Sequence, residues 1–161
     1  IMSLQSPSMT KGAGSRVNVS SKSRYALMAL VELDLRTRGT GQPVRLADLA
    51  REREIPEQFL EHVFAGLRRA GLVAGHRGVG GGFTFVRQPD RLTVLDVVRT
   101  LDGDLRVDVC TPGECDVEER EGAGVVWRAA GAAYDAVLAR TTVADLAERE
   151  VQLGAGPTYQ I

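Results

Sequence analysis

Cysteine is scarce: the 161-residue chain carries two, Cys110 and Cys115. Two thiols exclude a disulfide-stapled secreted scaffold and a self-contained four-cysteine zinc site, so whatever they do is local. Long apolar runs are missing too. The longest, from Tyr25 to Val31, falls far short of the roughly 20 residues that span a bilayer, and no membrane partner is expected. The first nineteen residues lack a cationic start, an apolar stretch and a small-residue cleavage site, so they do not read as a secretory signal. A cytoplasmic protein is expected. Nucleotide-phosphate loops are also lacking. A P-loop requires G-x-x-x-x-G-K-[ST] and a dinucleotide fold requires G-x-G-x-x-G, each opening a helix. Here Gly78-Val79-Gly80-Gly81-Gly82-Phe83 fails at its sixth position and runs into Phe-Thr-Phe-Val, a strand pattern. No enzyme is expected.

What is present suits a folded chain of about one domain. Hydrophobic residues make up 43% and charged residues 25%, away from the low-apolar, high-charge signature of disorder. The net charge of −1 conceals an asymmetry: residues 1–91 hold 14 basic and 8 acidic side chains, residues 92–161 hold 6 and 13. A basic module that meets a polyanion beside an acidic module with another task would produce this split, as would two unequal solvated faces. Only Lys11 and Lys22 of the 20 basic residues are lysine. Arginine suits bidentate contact with phosphate and guanine, although a GC-rich coding bias enriches it equally.

Residues 1–19 are rich in Ser, Gly and Thr and read as a flexible lead-in, part of it a cloning remnant. Ser20 or Ser21 is placed to cap a helix through SKSRYALMALVELDLRT, apolar nearly all round and so central to the core, which Gly39 ends. Leu46, Leu49 and Ala50 mark a short second helix, interrupted at Glu54-Ile55-Pro56, with Pro56 placed to open the next. In that third helix, PEQFLEHVFAGLRRA, Phe59, Leu60, Val63, Phe64 and Leu67 form an amphipathic stripe. Glu57, Gln58, Glu61, His62, Arg68 and Arg69 occupy the opposite face, and Gly71 sits at the C-terminal cap. Two β-prone runs, 72–77 and 83–87, flank Gly78, Gly80, Gly81 and Gly82 as a hairpin. The glycines permit positive φ in a tight turn and close approach to a partner. Thr93 with Asp96 resembles a capping box for a helix to about Leu101. Beyond an acidic loop over 104–121, a long helix is predicted over 124–139, and Thr142 caps a short last helix carrying Leu146.

A short helix, a tight turn, a second helix with a polar outer face and a Gly-rich hairpin form a winged helix-turn-helix pattern in a mainly α fold. The arrangement suits DNA. A helix fits the major groove, and Gln58 and Glu61 lie one turn apart on the outward face. His76 and Arg77 lead into the hairpin tip, where Gly78 and Gly80 let the backbone come close. Winged helices also dock proteins without touching DNA, so a module that regulates a partner enzyme is the alternative.

The stretches SSKSRYALMAL, IPEQFLEHVFAGLRRAGLVAGHRGVGGGFTF and LTVLDVVRTLDG together resemble the Rrf2 family of bacterial regulators, from about residue 19 to 150. The wing R-G-x-G-G-G-[FY] after L-R-x-A-G-L-V is the most specific part. The resemblance implies a homodimeric, sequence-specific transcription regulator of double-stranded DNA, a repressor, whose long helix crosses to the partner. It implies a winged helix-turn-helix with a two-stranded wing over 20–91, a sensor loop and dimerisation helices over 92–150, and a tail over 151–161. Family DNA contacts fall on Tyr25 near the start of the first helix, on Gln58 and Glu61, and on Arg77 in the wing. Pro56 stands where the family often has Ser. Trp127 and Tyr134, seven apart on the long helix, read as dimer-core packing.

Cys110 and Cys115 frame Thr-Pro-Gly-Glu in the acidic loop, where cluster-binding members of the family place their ligands. Those members bring three cysteines plus a His after the last, or an acidic residue from the partner's first helix. Here the matching first-helix positions are Arg24 and Met28, and no His follows His76. An iron-sulfur cluster would need Asp108, Glu114, Asp116 or Glu118 as further ligands, or four thiolates shared between protomers. A thiol switch is a second reading, since a turn at Pro112-Gly113 would bring the sulfurs within disulfide reach, while acidic neighbours raise thiol pKa and slow that chemistry. A member with no cluster and another effector is the third. The C-x-x-x-x-C spacing, in place of C-x-x-C, argues against a thiol oxidoreductase.

Overall fold

The computed structural model describes residues 20–103 and 122–154, so both cysteines lie outside the described residues. Helix α1 (Ser21–Thr37) begins where Ser20 Oγ accepts the Ser23 N–H at 3.1 Å, a serine N-cap. Ala26, Ala29, Leu30 and Leu33 are fully buried, which makes α1 the central element expected. It is not apolar all round, however: Glu32 and Asp34 are buried among these residues. Carboxylates leave water at that depth only when paired. Arg36 and Arg53 bind Glu32, and Arg38 binds Asp34.

Helices α2 (Leu46–Glu52) and α3 (Glu57–Arg69) follow. Between them Glu54 takes φ +51, the left-handed conformation that turns the chain, and Pro56 occupies the α3 N-cap. Leu60, Val63, Phe64 and Leu67 bury the predicted stripe. At the far end the Leu72 N–H bonds Leu67 O and the Gly71 N–H bonds Arg68 O, both at 3.0 Å, with Gly71 at φ +71. This Schellman closure satisfies the last carbonyls of α3 and aims the chain into the wing.

Strands β1 (Val73–His76) and β2 (Gly82–Phe85) pair antiparallel, Val73 opposite Phe85 and His76 opposite Gly82. Val44, before α2, adds a bridge to the wing that no local pattern announced. The Phe83 N–H bonds Val44 O at 2.8 Å and the Val44 N–H bonds Phe83 O at 3.0 Å. Gly82 is what allows it: a Cβ there would lie 2.3 Å from Val44 O. The close approach expected of the glycines is, at this position, to the chain's own backbone.

After a short 3-10 turn (Pro89–Arg91), helix α4 (Val94–Asp102) starts on a complete capping box. Thr93 Oγ1 accepts the Asp96 N–H and Asp96 Oδ2 accepts the Thr93 N–H, each at 3.1 Å. Helices α5 (Gly122–Ala139) and α6 (Val143–Gly154) complete the fold. Helix α6 opens on the same device, built from Thr142 and Asp145. It runs on to Gly154, past the position where a tail was expected, because no glycine or proline interrupts it before then. The two caps are stitched together by backbone: the Val94 N–H bonds Thr141 O at 2.8 Å and the Val143 N–H bonds Leu92 O at 2.9 Å. Leu92, Val97, Val143 and Ala147 thereby join the core built on α1. Helix α5 stands apart from that core, packing on α4 with Val125, Val126 and Val137 more than half exposed. Among the described residues no helix is long and apolar enough to cross a membrane.

Candidate nucleic-acid interface

Two aromatic contacts lock three elements into one unit. The Tyr25 ring of α1 stands edge-on to Phe59 of α3 at 5.5 Å, and Phe64 of α3 stands edge-on to Phe83 of β2 at 4.9 Å. The start of α1, the helix α3 and the wing therefore hold fixed positions relative to one another. With Leu60, Val63, Phe64 and Leu67 turned to the core, α3 presents Glu57, Gln58, Glu61, His62, Arg68 and Arg69 exposed. That is the outward face expected of the third helix.

The other candidate residues are placed as follows. Tyr25 is half-buried, its ring supporting α3 while the Arg24 guanidinium lies 5.2 Å from its centroid. Arg77 leaves β1 exposed. The Gly81 N–H bonds Gly78 O at 2.9 Å, closing a turn whose tip is the fully exposed Val79. Gly78 and Gly80 take φ +97 and +80 with open space around them, so they serve conformation, not clearance. His76 is exposed, and its Nε2 lies 2.8 Å from Thr84 Oγ1. The neighbouring Gly75 faces Phe83 and Arg68, so strand alternation turns His76 to the side of the wing away from α3. The structure thus sets Tyr25 against α3 through Phe59, leaves Gln58 and Glu61 exposed on that helix, and turns His76 to the other side of the wing.

Charge pairing separates the cations into two groups. Within residues 20–88, Arg36, Arg38, Arg51, Arg53 and Arg87 each bind a carboxylate. Among the described residues no carboxylate lies within ion-pair distance of Lys22, Arg24, Arg45, Arg68, Arg69 or Arg77. These sit at the start of α1, before α2, at the end of α3 and in the wing. Lys22 and Arg45 carry no sequence signal of their own, because a cation's availability depends on which carboxylates the fold brings to it. Among the described residues no group of three or more His, Cys, Asp or Glu could hold a metal ion.

The chain matches the Rrf2 family, described as an iron-dependent transcriptional regulator, over residues 19–149. The HTH-type transcriptional regulator CymR of Bacillus subtilis is 34% identical over 131 residues, covering 81% of this chain and 90% of CymR. The solved structure of CymR (YrzC), named as the global cysteine regulator of B. subtilis, superposes with a TM-score of 0.72 at 34% identity, over 83% of this chain and 98% of that one. The IscR of T. potens gives a TM-score of 0.70 at 30% identity, over 89% of this chain and 95% of that one. The winged helix, the exposed polar face of α3 and this similarity over most of the chain agree: the protein belongs to the Rrf2 family of DNA-binding transcriptional regulators.

Proposed function

We propose that the protein is a homodimeric repressor that reads a two-fold symmetric operator, with Gln58 and Glu61 of α3 at base edges and Arg77, Gly78 and Gly80 of the wing against the adjacent backbone. The observation that carries this reading is the set of unpaired cations, Lys22, Arg24, Arg45, Arg68, Arg69 and Arg77, around an exposed polar recognition helix. Cations left without a carboxylate partner can replace the counterions of DNA, while glutamine and glutamate accept or donate at base edges. His76, already bonded to Thr84, supports the wing and reaches phosphate only from its far side. Helix α5 supports the dimer. It is 18 residues long with Val125, Val126 and Val137 exposed, and a helix of this composition needs a partner to bury that face.

The signal is assigned to Cys110 and Cys115. Iron-sulfur clusters take four protein ligands, and the two thiols of one protomer supply half of them, so a cluster here would also draw on Asp108, Glu114, Asp116 or Glu118 or on the thiols of a second protomer. Two thiols are present; Arg24 holds a cation over Tyr25 at the first-helix position; His62 and His76 belong to α3 and the wing. A reversible disulfide suits two thiols, with two protons and two electrons passing to an oxidant of the disulfide or peroxide class.

Selection of bound duplexes from a random-sequence pool tests the DNA reading. A palindromic consensus bound with a steep salt dependence is expected; binding that does not exceed the non-specific level would favour a protein-docking module. Sedimentation of wild type and Val126→Asp tests the dimer, and equal operator affinity of reduced and oxidised protein would remove the thiol signal.

A further inference from the structure

Asp102 is the last residue of α4, and both of its carboxylate oxygens are taken by α1. Oδ1 accepts the Ser20 hydroxyl at 2.6 Å and Oδ2 accepts the Ser23 hydroxyl at 2.7 Å. Ser20 is the N-cap of α1, and its oxygen also accepts the Ser23 N–H. Ser23 is fully buried, so its hydroxyl depends on Asp102 for satisfaction. One carboxylate thus closes the first turn of α1 onto the end of α4, at the positive end of the α1 dipole.

Two consequences follow from where this clamp sits. The residues after Ser23 are Arg24 and Tyr25, and Tyr25 rests against the half-buried Phe59, at the edge of the exposed face of α3. The residue after Asp102 is Gly103, at φ +81 with its N–H on Arg99 O, where the chain leaves α4 for the segment that carries Cys110 and Cys115. Helix α5 meets the same charge. Burial, then Asp135 and Asp102, push the Tyr134 hydroxyl above the ordinary tyrosine range, and that oxygen is buried with no hydrogen-bond partner among the described residues.

We propose that Asp102 is a positioning residue for DNA recognition: by holding Ser20 and Ser23 it sets where Arg24 and Tyr25 stand beside α3, and it ties that placement to the root of the cysteine-bearing segment. The proposal rests on the DNA-reading role given above to the start of α1 and to α3. Asp102 acts through the two serines, and a displacement of the α4 end moves the first turn of α1 with it.

The test uses the full chain, a duplex selected from a random-sequence pool, and a scrambled duplex of the same length. Binding is titrated over a salt series for wild type, Asp102→Asn and the double variant Ser20→Ala/Ser23→Ala, with thermal unfolding in parallel. The sign discriminates. Simple electrostatics makes removal of a carboxylate tighten binding to DNA, whereas loss of positioning weakens binding to the selected duplex, by about tenfold, with little change on the scrambled one. The serine variant, which leaves the net charge unchanged, is expected to show the same loss and keeps the test open if Asp102→Asn does not fold. In an Arg24→Ala/Tyr25→Phe background, Asp102→Asn is expected to add no further loss, since the guanidinium and the phenol hydroxyl that it positions for DNA are gone. Unchanged or tighter binding of the selected duplex, equal losses on both duplexes, or full additivity in that background overturns the proposal. Wild-type protein that binds the two duplexes equally overturns the DNA-reading role beneath it.

Discussion

Gly82→Ala separates two reasons for glycine in the wing. A Cβ at this position would lie 2.3 Å from Val44 O and 2.9 Å from Arg45 N, and neither backbone atom can swing aside as the end of a side chain can. Val44 has to withdraw by about 1 Å to restore ordinary contact. That breaks both hydrogen bonds joining Val44 to Phe83, the 2.8 Å and 3.0 Å pair. At about 1 kcal/mol net for each bond the variant loses about 2 kcal/mol, in addition to the backbone strain of a side chain at φ +158. Gly78→Ala is the control: it has φ +97 and nothing within 4 Å of the added carbon, so it carries backbone strain alone, about 1 kcal/mol. Equilibrium urea unfolding, followed by circular dichroism at fixed protein concentration, measures both. Gly82→Ala is expected to lose more stability than Gly78→Ala and to bind DNA with a lower salt slope, because the wing no longer anchors on Val44. Equal losses in the two variants would refute the claim that Gly82 is required for close approach to Val44.

Other perturbations test other parts of the reading. Arg77→Ala is expected to weaken operator binding by about 1 to 3 kcal/mol if Arg77 reads a groove, or to lower the salt slope by about one if it contacts phosphate alone; titrations at several salt concentrations that show neither remove it from the interface. Arg53→Met removes the charged hydrogen bonds to Glu32 and Glu150 while Arg36 still neutralises the buried Glu32, so it should destabilise by about 2 kcal/mol, whereas Arg51→Met, at an exposed pair with Asp48, should change stability by less than about 0.5 kcal/mol. Urea unfolding that ranks the two variants the other way would refute the network's role. For Asp96, burial works against the charged form, yet the Thr93 N–H and hydroxyl and the Arg87 guanidinium outweigh it and hold the carboxyl below the ordinary range. A depressed carboxyl stabilises the fold above its unfolded pKa and loses that contribution as pH falls through the folded value. Asp96→Ala should therefore cost about 1 kcal/mol at pH 7, with the gap to wild type closing below about pH 4; a gap constant down to pH 2 would contradict the charged cap.

What was legible without coordinates is what depends on neighbours along the chain. The buried stripe of α3 follows from Leu60, Val63, Phe64 and Leu67 recurring at helical spacing, and its outward Gln58 and Glu61 follow from the same geometry. Gly71 at the end of α3, the Thr93–Asp96 box and the Gly-rich hairpin are equally local, each a matter of one residue's backbone freedom or a side chain reaching three positions away. Tertiary structure decided what joins distant segments. Val44 bridges Phe83, Asp102 holds Ser20 and Ser23, and the caps of α4 and α6 pair through Thr93 and Thr142. Periodicity is blind to such contacts, because a hydroxyl or a backbone amide has no pattern that names a partner some forty to eighty residues away. Burial of Glu32 and Asp34 in α1 belongs to the same class: a carboxylate enters the core only when the fold delivers arginines to it, and Arg53 arrives from the turn between α2 and α3. The cations of the proposed DNA-facing side became visible for the converse reason, since among the described residues the fold brings them no carboxylate.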